Sequence, residues 1–459
     1  MIKLRTGIEG IDAVTRGGLP AGRTTLVEGG TGSGKTVFAL QCLANAARED
    51  GEACVFVCFE EPPERVIDHA EGFGWNLPAL AGQSLHFLDA RPDVDLVRTG
   101  EMDISGLIAA LESRVASSGA TRIVLDAVDV IMELVGSAAG IRREMLRLER
   151  WLQQRGLTAI VTAKSARGPD EASVPPALGF LPFMVDCLLH LEHEVVEGVS
   201  QRSVRVCKYR GSAFEENAMP MVFGANGLEV AWFPERSDVD DHARGERITT
   251  GLVELDAMLH GGYIRGASIL VTGAPGTAKT TLCGAFVDAA CRRGESAVFV
   301  SFDSRADDIV RNLQSVSIDL APHIESGQLR LVSLRALSGN TESVLLGIRS
   351  VIRDAKASCL VADPLSALAK AGNRGAAPGA TERLIDWGRS EGLTVMCTSL
   401  LEESSDPEVS TPMQISTIAD TWINLTYFVS AGERNRGLSI IKSRGTSHSN
   451  QVRELALSA

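Results

Sequence analysis

The chain has 459 residues, with 45 Lys and Arg against 58 Asp and Glu and a net charge of −13 at pH 7. That length exceeds one ordinary hydrophobic core and points to two or three domains, and the acidic balance argues against a broad nucleic-acid-binding surface. Aromatic residues make up 5%, Gly numbers 45, and none of the nine Cys forms a Cys-x-x-Cys pair, which fits an α/β nucleotide-binding protein with buried, reduced thiols, expected in the cytoplasm.

No apolar run approaches the roughly 18 residues of a membrane span, and Met1–Thr6 lacks a signal-peptide pattern. The first strand-like run is Thr24–Glu28, and Gly29-Gly30-Thr31-Gly32-Ser33-Gly34-Lys35-Thr36 follows it and opens a helical run. A Gly-rich loop between strand and helix is the setting of a P-loop. The backbone N–H groups around Thr31, Gly32, Ser33 and Gly34 would cradle phosphates. Lys35 would reach the terminal phosphates and Thr36 would bind Mg²⁺.

The next strand, Val55–Glu60, ends in Glu60-Glu61. A carboxylate at this edge can polarise a water for attack on a γ-phosphate, although a solvated acidic pair is the plainer alternative. Helical stretches at Ile104–Ser117 and Ile141–Arg155 alternate with strands, and Arg122–Asp126 is a strand ending in a carboxylate. With a P-loop upstream, Asp126 can hold the water shell of Mg²⁺ beside Thr36. In Lys208-Tyr209-Arg210 the two cations face one side of a strand, just ahead of a Gly.

The second half repeats this order. Thr6–Asp12 recurs as Thr250–Asp256, Gly17–Leu19 as Gly261–Tyr263, Val55–Glu60 as Val298–Asp303, Arg122–Asp126 as Cys359–Asp363, and Val206–Ser212 as Ile440–Thr446. Such ordered recurrence is a tandem duplication, giving domains at 1–235 and 248–459 joined by a polar linker at 236–247. Each domain alternates strands and helices, so each is α/β with a mostly parallel sheet covered on both faces and its nucleotide at the carboxyl edge. The second P-loop, Gly273–Thr280, follows the strand Ser268–Thr272 and supplies Gly276, Thr277, Ala278, Lys279 and Thr280. Ala278 stands where the pattern has Gly, and its methyl group would crowd the phosphates or restrict the loop. Asp363 is the second metal-side carboxylate. Asp303-Ser304 replaces Glu60-Glu61, so the two domains should not perform the same chemistry equally well. Lys442-Ser443-Arg444 repeats the basic triplet. Alone, such a triplet reads as a solvated edge strand; its recurrence favours cations that complete a neighbour's ATP site.

From Gly7 to about Leu457 the sequence resembles the KaiC family, tandem RecA-like P-loop ATPases of the bacterial clock system. The resemblance rests on Gly17–Pro20, Phe59-Glu60-Glu61, Gly72–Trp75, Asp363–Ala369 and Lys442–His448. It implies a two-tier homohexamer with ATP and Mg²⁺ at each subunit interface. It makes Glu60 and Glu61 the hydrolytic carboxylates of the first tier, and Asp303 their counterpart in the second. Lys208 and Arg210 would act on a neighbour's ATP in the first tier, and Arg436, Lys442 and Arg444 in the second. The family's second tier is an autokinase, and Ser416 and Thr417 fall at its acceptor pair, with Thr411 matching a further Thr of that region. A KaiB-like protein or a sensor kinase or response regulator is the expected partner, with Asp89–Leu107 loosely similar to the segment that KaiB-like partners use. The long carboxyl tail that receives the activator KaiA has no counterpart here, so KaiA is not expected. Two other readings stay open: a RecA-like DNA motor or recombinase, disfavoured by the acidic charge and the lack of a basic arm, and an ATP-assembled scaffold without kinase activity.

Overall fold

The computed structural model describes residues 1–92, 104–135, 137–165, 179–196, 198–233, 245–334, 341–367, 377–400, 418–430 and 432–457. The chain divides into two compact units, Met1–Trp232 and Phe233–Ala459. Among the described residues no helix is long and apolar enough to cross a membrane.

In the first unit a short antiparallel ribbon, β1 (Lys3–Leu4) with β2 (Leu19–Pro20), precedes the main sheet. The sheet is built from β3 (Thr24–Gly29), β4 (Cys54–Cys58), β5 (Leu85–Asp89), β6 (Arg122–Asp126), β7 (Thr158–Lys164), β8 (Cys187–Val196), β9 (Val199–Tyr209), β10 (Met219–Gly224) and β11 (Gly227–Val230), in the order β11-β10-β9-β8-β3-β7-β6-β4-β5. The six strands from β8 to β5 are parallel, and β9, β10 and β11 extend the sheet antiparallel.

Residues of β3, β4 and β6 are buried throughout because helices cover both faces. Alternate residues divide between two cores. Val27, Phe56 and Val124 pack with Phe38 and Leu43 of the helix Lys35–Asn45, while Leu26, Val57 and Leu125 pack with Leu148 and Trp151 of the helix Ala138–Gln154. That second helix starts three residues ahead of the expected Ile141, because the Ser137 hydroxyl accepts a bond from Gly140 N at 3.1 Å and caps it. Burial pushes the Cys54 and Cys58 thiols up to about 12, as suits unreactive core residues.

The second unit repeats the plan. Its ribbon is β12 (Arg247–Ile248) with β13 (Tyr263–Ile264), so Arg247, expected in the linker, already pairs within the unit. Its sheet comprises β14 (Ser268–Gly273), β15 (Ala297–Ser301), β16 (Leu329–Ser333), β17 (Cys359–Asp363), β18 (Thr394–Leu400), β19 (Thr421–Ser430), β20 (Glu433–Ser443) and β21 (Arg453–Glu454), in the order β16-β15-β17-β18-β14-β19-β20-β21. The parallel part matches the first unit strand for strand. The antiparallel part ends in the two-residue β21, where the first unit carries the β10–β11 hairpin. In each unit the P-loop leaves the central strand at the carboxyl edge, where the next strands deliver their terminal residues.

Candidate active site

In the first unit Asp126 ends β6 and is 8% exposed. Its carboxylate accepts bonds from the Thr36 hydroxyl at 3.0 and 3.3 Å and from the Thr162 hydroxyl at 2.6 Å. Burial raises the Asp126 carboxyl above its ordinary range, opposed by these two hydroxyls and by Lys35. Lys35 Nζ donates to the carbonyls of Gly29 and Gly30, both at 2.9 Å, so the loop folds around its own ammonium. A terminal phosphate can replace those carbonyls at the same cation. A threonine hydroxyl and a carboxylate in contact are the donor set that Mg²⁺ takes beside a phosphate, so the residues fit Mg²⁺·ATP. Buried Ser33 Oγ has no hydrogen-bond partner among the described residues, which leaves a polar atom of the cradle for a ligand.

Glu60 and Glu61 follow β4 at the same edge. Phe59 N donates to Asp126 O at 2.9 Å and ties this corner to β6. Glu61 is paired with His69 Nδ1 at 3.2 Å, while Glu60 is exposed. The two carboxylates thus differ in freedom, and Glu60 is the one free to orient a water.

The second unit reproduces the cluster. Thr280 donates to Asp363 at 2.6 Å, and Thr398 donates to the other carboxylate oxygen. Lys279 Nζ donates to Gly273 O and Ala274 O at 2.8 and 2.9 Å. Burial raises the Asp363 carboxyl in the same way. Exposed Asp303 takes a bond from its neighbour Ser304 at 2.9 Å. Ala278 adopts φ 79, in the left-handed region where Gly34 sits at φ 100. A Cβ at Gly34 would lie 2.4 Å from Phe223 Cζ of β10. No counterpart of that hairpin lies among the described residues of the second unit, so the aromatic contact that a Cβ at Gly34 would meet is not repeated there. The strain of an L-residue in this region, about 1–2 kcal/mol, is the remaining cost.

The basic residues fall into two groups. Arg202 Nε donates to Gly32 O at 3.3 Å, and Arg436 Nε to Gly276 O at 3.1 Å. Both brace the P-loop of their own unit, so within one chain Arg436 stands on its own cradle and not away from it. Lys208 and Arg210 stand at the other end. Lys208 pairs with Leu188, which lies level with Leu26 of β3, and Arg210 N donates to Asp186 O near the start of β3. At ~3.3 Å per residue they sit about 10–16 Å from Gly29 along the strands. Lys208 Nζ donates to Pro182 O at 2.8 Å and Arg210 to Phe183 O at 3.0 Å, both ahead of β8. Lys442 is likewise level with Trp422 and Leu270, and Arg444 N donates to Asp420 O. Burial, then the neighbouring arginine, holds Lys208 and Lys442 below the ordinary lysine range, a strain that an anion would relieve.

Sequence reasoning missed Thr162, Thr398 and Arg202. The repeat carried the signal in each case: the offset that maps Arg210 onto Arg444 maps Arg202 onto Arg436, and β7 aligned with β18 superposes the two threonines. Ser416, Thr417 and Thr411 lie outside the described residues, as does most of Asp89–Leu107.

The family model for the KaiC ATPase matches residues 4–235 and again 248–458. The circadian clock protein KaiC2 of Synechocystis sp. is 39% identical across 100% of this chain and 80% of its own length. The circadian clock oscillator proteins KaiC of Thermostichus vulcanus and Synechococcus elongatus are 34% and 33% identical, each across 99% of this chain and 87% and 88% of their own lengths.

The contrast between Gly34 and Ala278 yields a test. Gly34→Ala should weaken ATP binding at the first site by about tenfold, because the variant loop relaxes out of the cradle conformation to relieve the strained φ, about 1–2 kcal/mol, and the overlap with Phe223, and must return to it to bind. Titration with ATP·Mg²⁺ in a Lys279→Ala background reads this site, and adding Phe223→Ala should recover part of the loss. Unchanged affinity in Gly34→Ala would contradict the packing account.

Proposed function

The chain belongs to the KaiC family of ATPases, and from that premise we propose an ATP-assembled homohexameric signalling ring in the cytoplasm. It hydrolyses Mg²⁺·ATP mainly in its first domain and transfers phosphate to Ser416 and Thr417 in its second. The observation that carries this reading is the placement of Lys208, Arg210, Lys442 and Arg444 at the sheet edge opposite their own P-loops. Cations so placed lie beyond reach of the P-loop of their own unit and suit a nucleotide presented by another copy, and a head-to-tail interface of this kind makes a ring when its rotation closes. A KaiB-like protein or a sensor kinase or response regulator is the partner class this reading favours; a DNA motor is disfavoured by the net charge of −13.

The division of labour follows from the acids. Glu60 orients the attacking water in the first domain, with Glu61 beside it. In the second, Asp303 is one methylene shorter and Ser304 brings no second carboxylate, so a water is less well held and a hydroxyl acceptor competes better. Asp303 serves as the base for that hydroxyl. Ser416-Thr417 directly precede Ile418 in the chain. Ile418 O accepts a bond from Ser268 at the start of β14, and Asp420 O accepts one from Arg444 N. Ile418 and Asp420, which follow the pair in the chain, thus lie at the strand end that carries Arg444. Asp126 and Asp363, with Thr36 and Thr280, hold Mg²⁺, while Arg202 and Arg436 brace the loops in cis.

Light scattering should show a hexamer at saturating ATP and smaller species without it; a monomer at saturating ATP would contradict the ring. Glu60→Gln with Glu61→Gln should lower steady-state turnover by about 10²–10⁴-fold while ATP stays bound, and a larger loss from Asp303→Asn would reverse the assignment of the two domains. Mass spectrometry after incubation with ATP and Mg²⁺ should find phosphate on Ser416 and Thr417, abolished by Lys279→Ala. An unmodified peptide with both P-loops occupied would leave an ATPase or scaffold without autokinase activity.

A further inference from the structure

We propose that Asp129 and Lys164 form a phosphate-reading pair confined to the first unit, in which Asp129 positions the Lys164 ammonium as a second cation for the terminal phosphate of ATP. The inference rests on the first domain being an ATP site and adds a positioning residue and a cation to it.

Asp129 lies in the short helix Val128–Glu133, directly after β6. It is 1% exposed, and neither carboxylate oxygen has a hydrogen-bond partner among the described residues. A buried acid without hydrogen bonds is costly unless a cation compensates it. The compensating cation is Lys164, whose Nζ stands 3.7 Å from Asp129 Oδ2. At that separation the two form an ion pair without a hydrogen bond, so the three donors of the ammonium are not spent on Asp129. Lys164 ends β7 level with Gly29, the first residue of the P-loop, and its side chain is 42% exposed. The pair shares the field of Lys35. Burial lowers the Lys35 ammonium, Asp129 is the foremost of the acids that pull it back, and Lys164 opposes them.

The second unit supplies the internal comparison. There the same two places hold Ser366 and Leu400, with Leu400 level with Gly273. They also meet, through Leu400 N donating to Ser366 Oγ at 3.4 Å, but neither carries charge. The contact is thus common to both units and the ion pair belongs to one. An acid placed alone beside a phosphate would repel it. An acid that fixes a lysine there offers a cation to the γ-phosphate, which ADP lacks. The first site therefore discriminates ATP from ADP through a contact that the second does not have.

The test uses the full chain with Lys279→Ala to silence the second site, titrated with a slowly hydrolysed ATP analogue and with ADP, each with Mg²⁺. Lys164→Leu should lower the preference for the ATP analogue over ADP by about tenfold or more, the value of a charge-assisted hydrogen bond, whereas Lys164→Arg should keep most of it. Because Lys164→Leu alone strands a buried carboxylate, the double variant Asp129→Ser with Lys164→Leu installs the neutral arrangement of the second unit; it should fold and show the same loss. An unchanged preference in the folded double variant, with altered melting temperature alone, would overturn the pair as a phosphate reader. Failure of the unaltered first site to bind either nucleotide would instead defeat the ATPase reading itself.

Discussion

Each unit is organised around one buried carboxylate gripped by two threonine hydroxyls. Asp126 joins the first turn of the P-loop helix, through Thr36, to the neighbouring strand β7, through Thr162. Asp363 joins Thr280 and Thr398 in the same manner. Burial disfavours the charged form, so the site holds its acid against an electrostatic gradient that a divalent cation would relieve. The clasp fixes three adjacent strand ends relative to the phosphate cradle. The placement of Glu60, of Lys164 and of the P-loop lysine all depends on it.

On this shared frame the two units diverge at a few contacts. The first carries two acids after β4, an ion pair at Asp129 and Lys164, and a glycine at the cradle pressed by Phe223. The second carries one shorter acid, the neutral pair Ser366 and Leu400, and an alanine in left-handed geometry. The acids and the ion pair give the first site more charged groups beside its P-loop, while the glycine–alanine difference is one of backbone geometry and packing. A duplicated fold has thus been given two electrostatic environments without altering the order of the strands that build them.

Much of this was legible in the sequence because the decisive features are local or recur. The P-loops are contiguous, the strand-end position of Asp126 and Asp363 follows from the short apolar runs Ile123–Leu125 and Cys359–Ala362, and the duplication links the two. The contacts that escaped notice connect residues remote in the chain: Thr162 with Asp126, Arg202 with Gly32, Lys164 with Asp129. Only strand order brings these together, and strand order in a parallel sheet is set by crossovers that no local pattern reports. The antiparallel extension mattered in the same way. It carries Lys208 and Arg210 away from their own P-loop, a placement that the basic triplet alone does not reveal.

That geometry makes subunit mixing the most direct measurement. Copies bearing Lys35→Ala retain the far-edge cations but lose their own cradle, and copies bearing Lys208→Ala with Arg210→Ala retain the cradle but lose the cations. Each population alone should be inactive in first-domain ATP hydrolysis. Mixed in equal amounts and reassembled, about a quarter of the interfaces of a head-to-tail ring would join an intact cradle to intact cations, and turnover should return in proportion. A mixture as inactive as its parents would show that Lys208 and Arg210 do not act across an interface.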